Sequence, residues 1–206
     1  MMMILKKGVL IVFEGIDGAG KTTQAEILLK RLKKKKFNTV YFREPSQSKW
    51  GREIKKKAAL LDSLTPEEEL DLFQRDRKEN IERNLKPALK KRKVVILDRY
   101  YFSTIAYQGA KGIDPGSIQK MNEEFVITPD LVFIFDIDAG KGLKRIEDRK
   151  KRDMLFERKE YLIKVREIFQ SFKGKEFIHV DATEPMDIIS KKVERIVFNF
   201  LDIFIG

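Results

Sequence analysis

The sequence of 206 residues contains no cysteine and a single histidine, His179. A disulfide framework, a thiolate metal site and a cysteine nucleophile are therefore excluded. One histidine also excludes multi-histidine metal sites and makes Ser-His-Asp catalysis a poor expectation. No apolar run approaches the roughly 20 residues needed to span a bilayer. The opening stretch MMMILKKGVLIVFEG is interrupted by Lys6 and Lys7, and it lacks the charged, apolar and small-residue order of a signal peptide. A cytoplasmic protein with no membrane association is expected. Apolar residues make up 42% and charged residues 36%, which excludes a collagen-like or low-complexity chain and argues against disorder.

The length fits one domain over residues 1–206, large enough to bury about 70% of the surface its unfolded chain exposes. The net charge is +11, a balance suited to a nucleic-acid binder or to an enzyme for phosphate-rich small substrates. Much of the excess lies at Lys33 to Lys36, Lys55 to Lys57 and Lys90 to Lys93, the last interrupted by Arg92. These runs read as solvated helix ends, where lysine complements the negative end of the helix dipole.

Continuous apolar runs mark strands buried on both faces: Gly8 to Phe13, Val94 to Leu97, Leu131 to Phe135 and Phe177 to Val180, with a shorter strand over Asn38 to Phe42. Between them lie helical segments over Thr23 to Lys36, Gly51 to Leu61, Ser103 to Gln108, Pro115 to Phe125, Gly140 to Arg149, Tyr161 to Phe172 and Pro185 to about Phe204. Thr65-Pro66-Glu67-Glu68 combines a cap, a first-turn proline and acids, and predicts a helix to about Asn84, with Pro87 at its end or at a kink. The alternation predicts a right-handed, mostly parallel, three-layer α/β domain with a five-stranded sheet.

Gly15-Ile16-Asp17-Gly18-Ala19-Gly20-Lys21-Thr22, followed by Thr23, fits G-x-x-x-x-G-K-[ST] directly after a strand and before a helix. Its backbone N–H groups would converge on the phosphates of a nucleoside triphosphate, Lys21 would reach the β- and γ-phosphates, and the Thr22 hydroxyl would face Mg²⁺. Asp98 stands at the carboxyl end of the VVILD strand, where open α/β sheets bind ligands. It is the expected Mg²⁺ partner, directly or through water. Arg99, next to it, is suited to gripping a second phosphate. Arg43 follows the second strand in FREP, and Phe73, Asp76 and Arg77 share one helix face. The aromatic and arginine of that face suit a base and its phosphate. The basic segment Arg149-Lys150-Lys151-Arg152 is placed to fold over a triphosphate as a lid.

P-loop, FREP, FQRDR, DRYYFSTIAYQG and a basic lid follow in that order, and together they resemble the thymidylate kinase family over nearly the whole chain. The resemblance implies a P-loop nucleoside monophosphate kinase with a lid near 149–158, moving a phosphoryl group from Mg²⁺-ATP to dTMP as a homodimer. It implies that Asp17 binds the sugar 3′-hydroxyl or organises the Mg²⁺ and phosphate network. Phe73 stacks on thymine, Arg77 contacts base or phosphate, and Arg99 holds the acceptor phosphate. Thr104, Tyr107 and Gln108 surround base and sugar, and Arg43 is a phosphate contact.

Three departures stand out. Gly18 occupies the loop position where some relatives carry a catalytic arginine, which shifts that role to Arg149 or Arg152 of the lid. Met154, Leu155 and Phe156 separate Asp153 from Glu157 in a lid that usually reads Asp-Arg-aromatic-Glu. Ser46-Gln47-Ser48 replaces a glycine-rich stretch. A kinase of broader monophosphate specificity is the alternative within the same chemistry. An ATP-dependent nucleic-acid binder is the alternative outside it, and the absence of a recognisable nucleic-acid module speaks against that. His179 is expected to be a packing residue, and Trp50 to rim the acceptor pocket or anchor its loop.

Overall fold

The computed structural model describes residues 3–60, 64–146 and 153–204. Five strands, β1 (Val9–Glu14), β2 (Thr39–Arg43), β3 (Val94–Asp98), β4 (Leu131–Asp136) and β5 (Phe177–Asp181), form one sheet in the order β2-β3-β1-β4-β5. All four pairings are parallel. The three inner strands are the near-continuous apolar runs. Val9 to Phe13 and Val94 to Leu97 are at most 1% exposed, because helices cover both faces of a parallel sheet. Phe13 packs against Phe133 and Phe135 with ring centroids 5.4 and 5.5 Å apart.

Around the sheet lie α1 (Lys21–Lys34), α2 (Lys49–Leu60), α3 (Pro66–Asn80), α4 (Lys86–Lys90), α5 (Tyr101–Ala110), α6 (Pro115–Glu123), α7 (Ala139–Ile146), α8 (Asp153–Ser171) and α9 (Met186–Asp202). The start of α3 is a capping box: Glu68 N–H donates to the Thr65 hydroxyl, and the Glu68 carboxylate accepts from Thr65 N–H. The helix does not stop near Asn84. It passes through a π-helical turn at Ile81–Leu85 into α4. Pro87 has no N–H, and its ring would collide with the carbonyl four residues back in an α-helix; the wider turn ahead of it relieves that conflict.

Further boundaries differ from the sequence reading: α1 and α2 each begin two residues early, at Lys21 and Lys49. β1 extends one residue to include Glu14, α5 begins two residues early at Tyr101, and α8 begins at Asp153 rather than Tyr161. His179 is exposed on the edge strand β5, its Nε2 paired with the Phe172 carbonyl at 3.0 Å, and is not a core residue. Trp50 sits between Lys49 and Arg75, in cation–π contact with both, and so joins α2 to α3 instead of rimming a pocket. Among the described residues no helix is long and apolar enough to cross a membrane.

Connections leave β1 toward β2 on one side, and β4 lies on its other side. The crevice above the carboxyl end of β1 is thus the switch point at which open α/β sheets take ligands. Gly15 to Thr22, Asp98 and Arg99 all lie at that end.

Candidate active site

The loop after β1 turns on glycines at positive φ, a backbone conformation that side chains rarely adopt. Gly15 has φ 134° and Gly18 has φ 79°, and a Cβ at Gly18 would lie 2.1 Å from the Gly142 carbonyl oxygen of α7. The packing of α7 therefore keeps position 18 free of any side chain, which is why an arginine cannot stand there. Ile16 and Ala19 are buried, and Thr23 is exposed on the first turn of α1. The Lys21 side chain curls inward and its Nζ donates to the Ile16 carbonyl at 2.7 Å. Burial, together with Arg99, pushes Lys21 down to about 7, against the pull of Asp17, Asp98 and Glu14. Phosphate oxygens placed at the loop would reverse that shift.

At the start of α1 the Thr22 hydroxyl donates to Asp98 Oδ2 at 2.6 Å, and the Tyr41 hydroxyl donates to the same oxygen at 3.0 Å. Asp98 Oδ1 is buried with no hydrogen-bond partner among the described residues. A buried carboxylate oxygen left over beside a threonine hydroxyl is a hard oxygen donor set, and it fits Mg²⁺. Among the described residues no three or more His, Cys, Asp or Glu side chains gather as a metal centre. Arg43, half exposed at the end of β2, stands 3.8 Å from Asp98 Oδ2; it belongs to this cluster and not to the cavity described next.

Beside the loop opens a cavity of about 430 Å³ whose wall includes Asp17, Phe73, Arg77, Arg99, Thr104 and Gln108. This is the size range of small-ligand sites. Tyr107, from the same helix, also lines it. Arg99 bridges loop and cavity. Its guanidinium pairs with Asp17, donates to the Ser103 hydroxyl at 3.0 Å and lies 5.2 Å from the centre of the Tyr107 ring. Burial favours neutral Asp17, but Arg99, Lys21 and Arg158 outweigh it and hold its carboxyl below the ordinary range.

Arg77 is 1% exposed and fully engaged. Nε donates to Glu44 at 2.9 Å, Nη1 to Asn122 at 2.6 Å and Nη2 to the Thr104 hydroxyl at 2.8 Å. It forms a rigid part of the wall, not a swinging arm. Burial raises the Glu44 carboxyl above its ordinary value in spite of Arg77. Gln108 donates its amide to Glu69 at 2.9 Å, and its Oε1 is buried without a partner among the described residues.

Asp76, one position before Arg77, turns the other way. It accepts from Ser46 N–H at 2.7 Å and from the Ser48 hydroxyl at 2.6 Å. The serines standing where a glycine-rich stretch was expected are thus pinned by a buried carboxylate.

The structure brings Lys21, Thr22, Asp98, Asp17 and Arg99 together, and joins the last two to Phe73, Arg77, Thr104, Tyr107 and Gln108. Arg149 and Arg152 lie outside the described residues. Two arginines that the sequence reading passed over do approach the loop: Arg145 donates to the Gly18 carbonyl at 3.4 Å, and Arg158 acts on Asp17. Glu14 and Glu44 were also passed over. A lone charge at the end of an apolar strand was the available signal for Glu14.

Comparison with known proteins agrees with this geometry. The family profile described as thymidylate kinase matches residues 13–193. A probable thymidylate kinase of Archaeoglobus fulgidus is 41% identical over 194 residues, covering 94% of this chain and 97% of that protein. Thymidylate kinases of Brachyspira hyodysenteriae and Akkermansia muciniphila are each 41% identical, over 187 and 190 residues, with 91% and 92% of this chain covered and 92% and 91% of theirs.

Proposed function

The chain belongs to the thymidylate kinase family, and with it comes ATP-dependent phosphorylation of dTMP to dTDP; from that premise we propose how its residues divide the work. The loop from Gly15 to Thr23 holds the triphosphate, with Lys21 on the β- and γ-phosphates. Thr22 and Asp98 would hold Mg²⁺, which would supply neutralisation of phosphate charge. The monophosphate lies in the cavity with its base against Phe73 and beside Arg77, Thr104 and Gln108, and its phosphate on Arg99. Asp17 works on the acceptor side. Its carboxylate is tied to Arg99 in the cavity wall, not to Thr22 and Asp98.

No protein nucleophile is needed, since an oxygen of the acceptor phosphate attacks the γ-phosphorus in line. Catalysis is then positioning and charge neutralisation by Lys21, Arg99 and a lid arginine, Arg149 or Arg152. The observation that carries this reading is the junction itself, Arg99 after β3 pairing with Asp17 of the phosphate loop and lining a cavity with an aromatic wall. Family membership supports a single domain with a lid near 149–158. It also supports a cytoplasmic homodimer using small-molecule substrates and no nucleic acid. Replacing Arg99 with alanine is expected to lower turnover by about 10³ to 10⁵ while leaving ATP affinity within a few-fold of wild type. Near-normal turnover would remove Arg99 from the mechanism.

A further inference from the structure

We propose that Glu14 is a positioning residue that aims Arg99, an inference resting on the reading of Arg99 as the acceptor-phosphate arginine. Glu14 ends β1 and is completely buried. Its Oε1 accepts from Tyr100 N–H at 2.7 Å and from Ser103 N–H at 3.2 Å, and its Oε2 accepts from the Ser103 hydroxyl at 2.6 Å. Ser103 Oγ in turn accepts from Arg99 Nη1 at 3.0 Å. One carboxylate therefore grips Arg99 from two sides, through the backbone immediately after it and through its guanidinium by way of Ser103.

The direction of each bond follows from the chemistry. An ionised carboxylate only accepts, so Ser103 must give its single proton to Glu14 and turn its lone pairs toward Arg99, which only donates. The backbone grip matters for a separate reason. Arg99 is a non-glycine residue at φ 71°, a conformation that persists only where the surroundings enforce it. Arg99 N–H is held by the Phe13 carbonyl at 3.0 Å, and the next N–H, that of Tyr100, is held by Glu14. Asp17, the other carboxylate at Arg99, is partly exposed and lines the cavity, so it is free to exchange Arg99 for substrate. Glu14 is walled off and stays in place through the cycle.

The test is a double-mutant cycle at pH 8, above the value of about 7 to which burial raises the Glu14 carboxyl. In Glu14→Gln the amide keeps an acceptor for Tyr100 N–H but offers an NH₂ to Ser103, which forces the serine proton toward Arg99. Turnover at saturating ATP is expected to fall about 10- to 100-fold, as for a small misplacement of a catalytic group, with the ATP KM and the melting temperature preserved. Ser103→Ala is expected to lose a similar factor, and the double variant no more than either single one, because both break one relay. The ¹⁵N resonances of the Arg99 guanidinium in the unliganded enzyme are expected to shift in Glu14→Gln. Full turnover in Glu14→Gln, losses that multiply in the double variant, or an unmoved Arg99 resonance would each overturn the proposal. Should the wild-type enzyme leave dTMP untouched, the functional reading would fall, and the Arg99 resonance would still decide this one.

Discussion

Replacing Arg77 with methionine keeps the apolar length of the side chain and removes a guanidinium whose nitrogens bond Glu44, Asn122 and Thr104. Among the described residues, Glu44 is then left 2% exposed with only the Asn80 amide, at 3.2 Å, on its carboxylate. Removing one partner of a buried ion pair costs about 3–5 kcal/mol, far more than the pair itself contributes against apolar substitutes. For a domain of this size each kcal/mol moves the melting temperature by about 2–4 °C, so a fall of about 6–20 °C is expected.

The loss should depend on pH in a definite sense. Burial already raises the Glu44 carboxyl, with Arg77 the main counterweight, and without Arg77 it rises further. A carboxyl whose folded pKa is raised keeps its stability below its unfolded value and loses it as pH climbs through the folded one. The gap between wild type and variant should therefore be wider at pH 8 than at pH 5. Adding Glu44→Gln should recover part of the loss, because no charge then remains buried. Melting followed by far-ultraviolet circular dichroism at both pH values measures all three quantities. A fall under about 3 °C at both, or a double variant that melts lower than Arg77→Met alone, would refute the reasoning.

Gly18→Ala and Gly20→Ala separate clash from backbone strain. Both glycines have left-handed φ, but a Cβ at Gly20 meets nothing within 4 Å and one at Gly18 meets the Gly142 carbonyl. Denaturant titration should find about 1–2 kcal/mol lost at Gly20 and clearly more at Gly18, and equal losses would contradict the packing of α7 on the loop. ATP binding should take up protons, because Lys21 sits near 7 in the unliganded protein and phosphates raise it. Calorimetry at pH 8 in buffers of different ionisation enthalpy reads that uptake, and an enthalpy independent of buffer would exclude it. dUMP should be phosphorylated with kcat/KM about 10- to 200-fold below dTMP, the range one methyl group supports; discrimination beyond about 10⁴ would require a polar reader of the methyl-bearing edge.

What the sequence reading captured and missed follows from distance along the chain. The apolar runs of β1, β3 and β4, the loop from Gly15 to Thr22 and the Asp98-Arg99 pair are local patterns, and each lies where periodicity and motif placed it. The Glu44–Arg77–Asn122 cluster joins residues 33 and 45 positions apart, and nothing in the local sequence marks Glu44 or Asn122 as partners. The same holds for Glu14 and Ser103, 89 positions apart. Ser46 and Ser48 read as a departure from a glycine-rich loop until Asp76 is seen to bind both. Pro87 marks a helix end or a kink in the sequence, and the helix passes it by way of a π turn. His179 looked like a packing residue because β5 is apolar, yet β5 is an edge strand with a solvent-facing side.

The most direct test of the account is a single assay of ADP formation and nucleoside diphosphate production with Mg²⁺-ATP and dTMP, dUMP, dCMP, dAMP, dGMP or UMP as acceptor. dTMP is expected to be used best, dUMP next, and the two purine monophosphates scarcely at all. Comparable use of purine and pyrimidine acceptors would contradict the assignment of the cavity formed by Phe73, Arg77 and Gln108 as a thymine site.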